Sequence, residues 1–324
     1  MAPFRSSQSR GERTAQPIRR RLALGFLAVA LLPVTLLGIG LYHQAWEDAR
    51  REVWEKHRLL AQNLATPIKL YLDNHRQKLG MLAASLREGM PAHAAMEGAL
   101  EEGEGFDILA LVGPDGAVRS LVSRTDQLLE DPPRSLAGDP AMRRTDTTDG
   151  VAVSGVRRGP ISGKPALVMA VPVETPDAGP GAVLLAELDR SVIERLRRTI
   201  RFGERGHSAI VDQNGRVVAH PNPDWRRQMK DISHWPVVHK MLEGKTGVAE
   251  FYSPFIDARM IAGYAAVPDY GWGIMVPQPR SEVAHQVWAL LLPQLPLVLA
   301  GLALGVVLAL LLSRWITRPI HQLA

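Results

Sequence analysis

Ser208-Ala209-Ile210-Val211-Asp212-Gln213-Asn214-Gly215-Arg216-Val217-Val218-Ala219 reads as two short β-strands, Ser208–Val211 and Arg216–Ala219, folded about Gln213-Asn214-Gly215. An Asn-Gly pair between apolar runs accepts the left-handed backbone that a tight hairpin needs. The pattern also stands earlier, where Ile108–Val112 and Ala117–Val122 flank Pro114-Asp115-Gly116. Gly116 and Gly215 lie 99 residues apart, and Val171-Pro172 and Val267-Pro268 lie 96 apart. Matched landmarks at nearly equal offset mark a duplicated module of about 95–100 residues.

Working outward, each hairpin is followed by a polar stretch and then three more strands. In the first copy the polar stretch runs from Ser123 to Gly150, and the strands are Val151–Val156, Ala166–Val173 and Ala182–Leu188. Ser191 with Glu194 has the spacing of a capping box and opens a helix through about Phe202. In the second copy a partly helical polar stretch extends to Gly247, and strands return at Val248–Tyr252, Met260–Val267 and Trp272–Val276.

Upstream, Trp46, Val53, Leu60, Leu64, Ile68, Leu72, Leu79, Leu82 and Leu86 recur at helical steps, which predicts one long helix over 43–88. The stripe fits core packing first and a dimer seam second. Pro67, which lacks a backbone donor, is expected to bend the helix.

Two uncharged apolar runs, Leu22–Tyr42 and Val287–Leu312, bracket this block; their 21 and 26 residues are each enough to cross a bilayer as a helix. The net charge of +5 suggests nucleic-acid binding until it is located. Six arginines before the first run and Arg314 and Arg318 after the second leave residues 43–286 with 30 basic and 32 acidic residues. The excess therefore flanks the membrane runs as the positive-inside rule expects, and nucleic acid is excluded as a partner. Both ends are expected in the cytoplasm and 43–286 outside. The first run is longer than a signal-peptide core and lacks a small-x-small exit, which favours a retained anchor. Cysteine is absent, so the outer part rests on an ordinary core without disulfides.

The expected boundaries are a basic tail at 1–21, a first membrane helix at 22–42 and a long extracytoplasmic helix at 43–102. A membrane-distal module at 103–203, a membrane-proximal module at 204–286, a second membrane helix at 287–312 and a linker start at 313–324 follow.

Several residues carry a family resemblance. They are Val153-Ser154-Gly155-Val156, Gly163-Lys164-Pro165 and Ala170-Val171-Pro172-Val173 in the first module. In the second they are the string Val211 to Pro221 and Gly271-Trp272-Gly273. Over 43–286 the chain resembles the double Cache sensor domains of bacterial transmembrane receptors, which are PAS-like and extracytoplasmic. Thr317-Arg318-Pro319-Ile320-His321-Gln322-Leu323 looks like the opening of a HAMP linker. The resemblance implies an α+β fold, with a long N-terminal helix and two tandem antiparallel-sheet modules flanked by two transmembrane helices. It also implies a homodimer in the bacterial inner membrane and a small ligand in the distal module. A kinase, chemotaxis or cyclic-dinucleotide output module is expected on a separate chain or past Ala324. Gly301-x-x-x-Gly305 offers a close helix contact for such a dimer.

No catalytic set, cofactor or metal is expected. Gly159 to Lys164 imitates a phosphate loop but is one residue short, with Pro165 in place of the hydroxyl residue, so a hairpin turn is the better reading. His220, His234 and His239 fit no zinc spacing. For ligand contacts the informative positions are polar residues on apolar strand faces. Val183, Leu185, Glu187 and Asp189 share one face by alternation. A carboxylate there needs a partner, either a ligand amine at Glu187 or water at a strand end, with Asp189 capping the next helix. Ser154 and Arg157 border the expected pocket, and Arg157, Arg143 or Arg144 suits a ligand carboxylate. Tyr252, Tyr264 and Trp272 are assigned to the second module's core.

The family's amino-acid-binding branch carries an Arg-x-Trp-Tyr cluster in the lid and an aspartate just after the Ser154 position. Here no Trp or Tyr lies between Ser123 and Gly150, and Gly155 takes the aspartate's place. An organic acid or other small polar metabolite is left open. The competing readings are a module that senses through a periplasmic protein partner and, from a different class, an anchored extracytoplasmic enzyme.

Overall fold

The computed structural model describes residues 18–101, 105–124, 133–145, 150–176, 178–200 and 205–317. It divides into two units, one of Arg51–Val283 and one of Met1–Arg50 with Ala284–Ala324. The larger unit holds two five-stranded antiparallel sheets. The first comprises β1 (Phe106–Val112), β2 (Val118–Ser123), β3 (Ala152–Arg158), β4 (Pro165–Thr175) and β5 (Gly179–Leu188), in spatial order β2-β1-β5-β4-β3. The second comprises β6 (Ala209–Val211), β7 (Val217–Ala219), β8 (Gly247–Ser253), β9 (Ala258–Val267) and β10 (Trp272–Pro279), in order β7-β6-β10-β9-β8. The two orders are the same, so the sequence repeat is a repeat of topology.

Helix α1 spans Ile18–Arg87 without interruption, through Pro67, and α2 (Ala92–Glu101) follows a turn at Gly89 with φ +94°. The helix expected over 43–88 ends at Arg87, and the segment assigned to 43–102 holds two helices, not one: a left-handed Gly89 and then Pro91 stop the first, as neither continues a helix. In the first module α3 (Pro140–Thr145) lies in the polar stretch, and α4 (Ser191–Thr199) leads to the second. There α5 (Pro223–Gln228) and α6 (Pro236–Leu242) precede β8.

Strand alternation sorts the core. Leu109, Leu111, Leu184, Ala186 and Leu188 face one buried layer together with Leu64, Ile68, Leu72, Leu79 and Leu86 of α1. Ile108, Ala110, Val112, Val183 and Leu185 face the opposite layer, with Leu136 and Ala141 from the polar stretch. The α1 stripe is thus core packing against both sheets, and each fully buried leucine contributes about 1.5–3 kcal/mol. Where α1 crosses the second sheet, Gly263 of β9 makes room: a Cβ there would lie 2.1 Å from the His57 carbonyl oxygen.

The capping box expected at Ser191 does not form. Arg190 is the N-cap and makes no side-chain cap bond, while Glu194 is held by Arg197 at 2.6 Å and Arg226 at 3.0 Å. Burial raises the Glu194 pKa, but these guanidiniums bring it below the usual carboxylate value.

In the smaller unit, Leu22–Tyr42 is helical as part of α1, and several of its side chains lie outside the described residues. Among the described residues one helix is long and apolar enough to cross a membrane, Leu292–Leu312. The second apolar run is not one regular helix from Val287. α7 (Arg280–Leu291) ends there, a 3₁₀ turn occupies Leu292–Gln294, and α8 (Leu295–Thr317) resumes. Pro293 and Pro296 account for the break, since neither donates to the helical ladder. The HAMP-like residues after Thr317 lie outside the described residues.

Candidate functional site

The site grows from an irregularity in β3. Ala152 and Val153 pair with Ala170 and Met169, Val156 pairs with Leu167, and the register slips between Val153 and Val156. Ser154 and Gly155 occupy the slip as a bulge, which frees ladder groups that need other partners. Ser154 Oγ supplies one, accepting the Val168 N–H at 3.0 Å and donating to the Gly155 carbonyl at 2.8 Å.

Gly155 has no side chain because another residue fills that space. A Cβ at Gly155 would lie 2.3 Å from Asp212 Oδ2 in the β6–β7 turn of the second module. Asp212 is fully buried and accepts three backbone N–H bonds, from Val156 at 2.8 Å, Asn214 at 2.9 Å and Arg216 at 2.9 Å. Burial pushes its pKa up, and the three N–H donors oppose that. One carboxylate therefore shapes its own hairpin and fastens that hairpin to the first module.

Beside this junction is a cavity of about 120 Å³, lined by Pro140 and Ala141 of the α3 start, Ala152, Ser154 and Arg157 of β3, Val168 and Ala170 of β4, and Asn214 and Arg216 of the second module. Arg157 stands on its wall but is already paired, with Nη1 and Nη2 each 2.7 Å from the two Asp139 oxygens. Asp139 Oδ1 also accepts the Ala141 N–H at 2.8 Å, so the pair ties the start of α3 to β3. Arg143 and Arg144 lie on α3; their side chains are outside the described residues.

Glu187 shares the face of Val183 and Leu185, as alternation predicts, but is neither at the cavity nor in water. It is 1% exposed and accepts the Ile161 N–H at 2.7 Å and the Ser162 N–H at 3.3 Å. Its partner is the β3–β4 turn. That turn contains the phosphate-loop look-alike, closed as a hairpin by Gly159 N–H to the Lys164 carbonyl at 2.8 Å. Asp189 sits past β5, where its Oδ1 accepts the Ser191 N–H at 2.6 Å and its Oδ2 accepts the Ser191 hydroxyl proton. Of the six residues singled out from sequence, Ser154 and Arg157 meet at the cavity, and Glu187 and Asp189 are engaged elsewhere. Asp107 was missed; burial and the nearby Asp189 charge raise its pKa to about 6. Asp139, Asp212 and Arg216 were missed too. For Asp212 the available signal was an aspartate opening an Asn-Gly hairpin opposite a strand glycine.

The corresponding face of the second sheet is filled. Trp225, Trp235, Val238, Met241, Tyr264 and Met275 pack there, and Met241 occupies the space over Gly273. Tyr264 and Trp272 are buried as expected, whereas Tyr252 is 56% exposed and not core. His220 stacks on Trp225 with centroids 4.5 Å apart and accepts the Asn222 N–H at 3.0 Å; burial drives its pKa to about 2.

The Cache domain family model matches residues 43–287. The chain belongs to the Cache domain family. No curated protein matches it. Among solved structures it is similar to the extracellular domain of a putative histidine kinase, rpHK1S-Z16, at 16% identity and TM-score 0.61, covering 73% of this chain and 97% of that one. It is similar to the Campylobacter jejuni chemoreceptor Tlp1 periplasmic sensory domain at 14% identity and TM-score 0.56, covering 73% and 98%. It is also similar to the Pseudomonas aeruginosa PAO1 chemoreceptor PctB ligand-binding domain, solved with L-Arg, at 16% identity and TM-score 0.53, covering 71% and 97%. These likenesses give the fold, and the Cache family gives the class, a sensory domain.

Proposed function

We propose that this chain is the sensing half of a bacterial inner-membrane receptor, binding a small extracytoplasmic molecule in its first module and catalysing nothing. The observation that carries this reading is the cavity beside the β3 bulge, because its wall combines both modules: Ser154 and Arg157 from one, Asn214 and Arg216 from the other. A molecule seated there bears on the second module directly, and β10 of that module runs straight into α7. Arg143 and Arg144 are offered as further contacts for a ligand carboxylate on the strength of the sequence, while Glu187 holds the β3–β4 turn and Asp189 the start of α4. The signal passes from β10 through α7 and the apolar helix to a HAMP linker, in a homodimer feeding a kinase, chemotaxis or cyclic-dinucleotide output.

Solved relatives support a small polar ligand: PctB holds L-Arg or L-Gln, and Campylobacter jejuni Tlp3 holds L-valine. A ligand can shift the receptor only by binding its two states differently, and about 1–3 kcal/mol of coupling suffices. The test is a thermal-shift screen of the full chain in nanodiscs against amino acids, organic acids and amines. One class should raise the melting temperature, and Ala152→Leu, which fills the cavity, should abolish the rise. A rise that survives Ala152→Leu places the ligand elsewhere.

A further inference from the structure

The charges around the cavity narrow the ligand class, given that the cavity is the sensing site. Its lining includes two arginines, Arg157 and the solvent-exposed Arg216, each with a guanidinium. That of Arg157 is neutralised by its two-pronged pair with Asp139. That of Arg216 forms no ion pair or side-chain hydrogen bond among the described residues, although Asp212 and Asp231 lie close enough to feel its charge. The nearby carboxylates are spoken for: Asp139 by Arg157 and the Ala141 N–H, Asp212 by three N–H donors, Glu187 by the β3–β4 turn. The site thus offers a cation and, among the described residues, no carboxylate for a ligand ammonium.

We infer that the ligand is a small carboxylate lacking an α-ammonium, and that Arg216 of the second module is the residue that binds it. A guanidinium meets a carboxylate with two parallel N–H bonds. The remaining wall, Ala152, Val168 and Ala170, suits a short apolar or hydroxylated tail. A cavity of about 120 Å³ is slightly smaller than the ~150 Å³ void that accepts benzene, which sets the size at about six non-hydrogen atoms or fewer. Arg216 comes from the hairpin that Asp212 fastens to β3, so the anion bridges the two modules across the same seam.

The test uses the full chain in nanodiscs and isothermal calorimetry with propionate, lactate and L-alanine. Propionate and lactate should bind more tightly than L-alanine, and Arg216→Ala should weaken them about tenfold or more, with Arg216→Lys between. The Arg216 N–H that holds Asp212 belongs to the backbone and survives both variants, and Arg216→Lys also keeps the charge that Asp212 and Asp231 feel. Arg216→Lys should therefore unfold without ligand as the parent does, and Arg216→Ala only slightly earlier. Unchanged propionate and lactate affinity in Arg216→Ala, no binding of either acid, or tighter L-alanine binding would each overturn the inference. If Ala152→Leu still removes a ligand's binding while Arg216→Ala does not, the anion anchor fails and the sensing site stands. If Ala152→Leu affects nothing that binds, both fail.

Discussion

At the scale of single residues, burial sets what each polar group does. Glu187 is enclosed with the turn amides of Ile161 and Ser162, so its truncation strands buried donors. Glu187→Ala should cost about 1–3 kcal/mol in denaturant unfolding, and Glu187→Gln, which keeps an acceptor, distinctly less. Ligand affinity should hold in both. Equal stability of Glu187→Ala and the parent would contradict this role. Alternation along β5 made the face of Glu187 legible in the sequence; its partner was not, because the turn amides lie 26 residues away. The same holds for Arg157, readable as a cation at the pocket but not as one already paired with Asp139.

His220 gives a pH dependence. Its folded pKa is about 2, against about 6.5 in the unfolded chain. Below pH 6.5 the unfolded state therefore binds the extra proton, and stability falls as pH falls, by at most about 1.4 kcal/mol per pH unit. His207, pushed down by burial to about 4, adds to the loss between pH 6.5 and 4. Above pH 7 neither contributes a slope. Melting temperatures of the parent and His220→Phe across pH 4–8 check this: the variant should show the shallower acid slope, and equal slopes would contradict it.

At the scale of elements, α1 is seated on the second sheet by one close approach. His57, fully buried, donates through Nδ1 to the Val276 carbonyl at 2.8 Å, and its Nε2 is 3.0 Å from Gln278 Oε1. Gln278 Nε2 in turn donates to Glu282 of α7 at 3.1 Å. Gly263 permits this contact, so Gly263→Ala should drive α1 off the sheet and cost about 1–3 kcal/mol or more. For a unit of this size that is a fall of roughly 2–4 °C in Tm per kcal/mol, measurable by calorimetry. An unchanged Tm would mean that the approach is looser than described. The helical stripe from Leu64 to Leu86 was fully legible, since its period survives every surface substitution. The end of α1 near residue 88 was legible as well, whereas α2 as a separate helix within 89–102 was not, because its apolar residues continue the pattern after Gly89 and Pro91.

At the scale of the whole molecule, duplication was the most legible feature, because the hairpin glycines Gly116 and Gly215 are required by turn geometry in each copy; φ is +81° and +73°. The two copies have diverged in use. The second fills its sheet face with Trp225, Trp235 and Met241, while the first keeps a cavity and borrows part of its wall from the second. Sequence spacing reports neither the filling nor the borrowing, as both depend on residues brought together across modules.

The central claim is that residues 51–283 form a sensory domain outside the cytoplasmic membrane. The chain contains no cysteine, so single cysteines at exposed Met81 and Tyr252 can be placed without background. Treating intact spheroplasts with a membrane-impermeant maleimide should label both Met81→Cys and Tyr252→Cys. Labelling of either only after the membrane is permeabilised would contradict the claim.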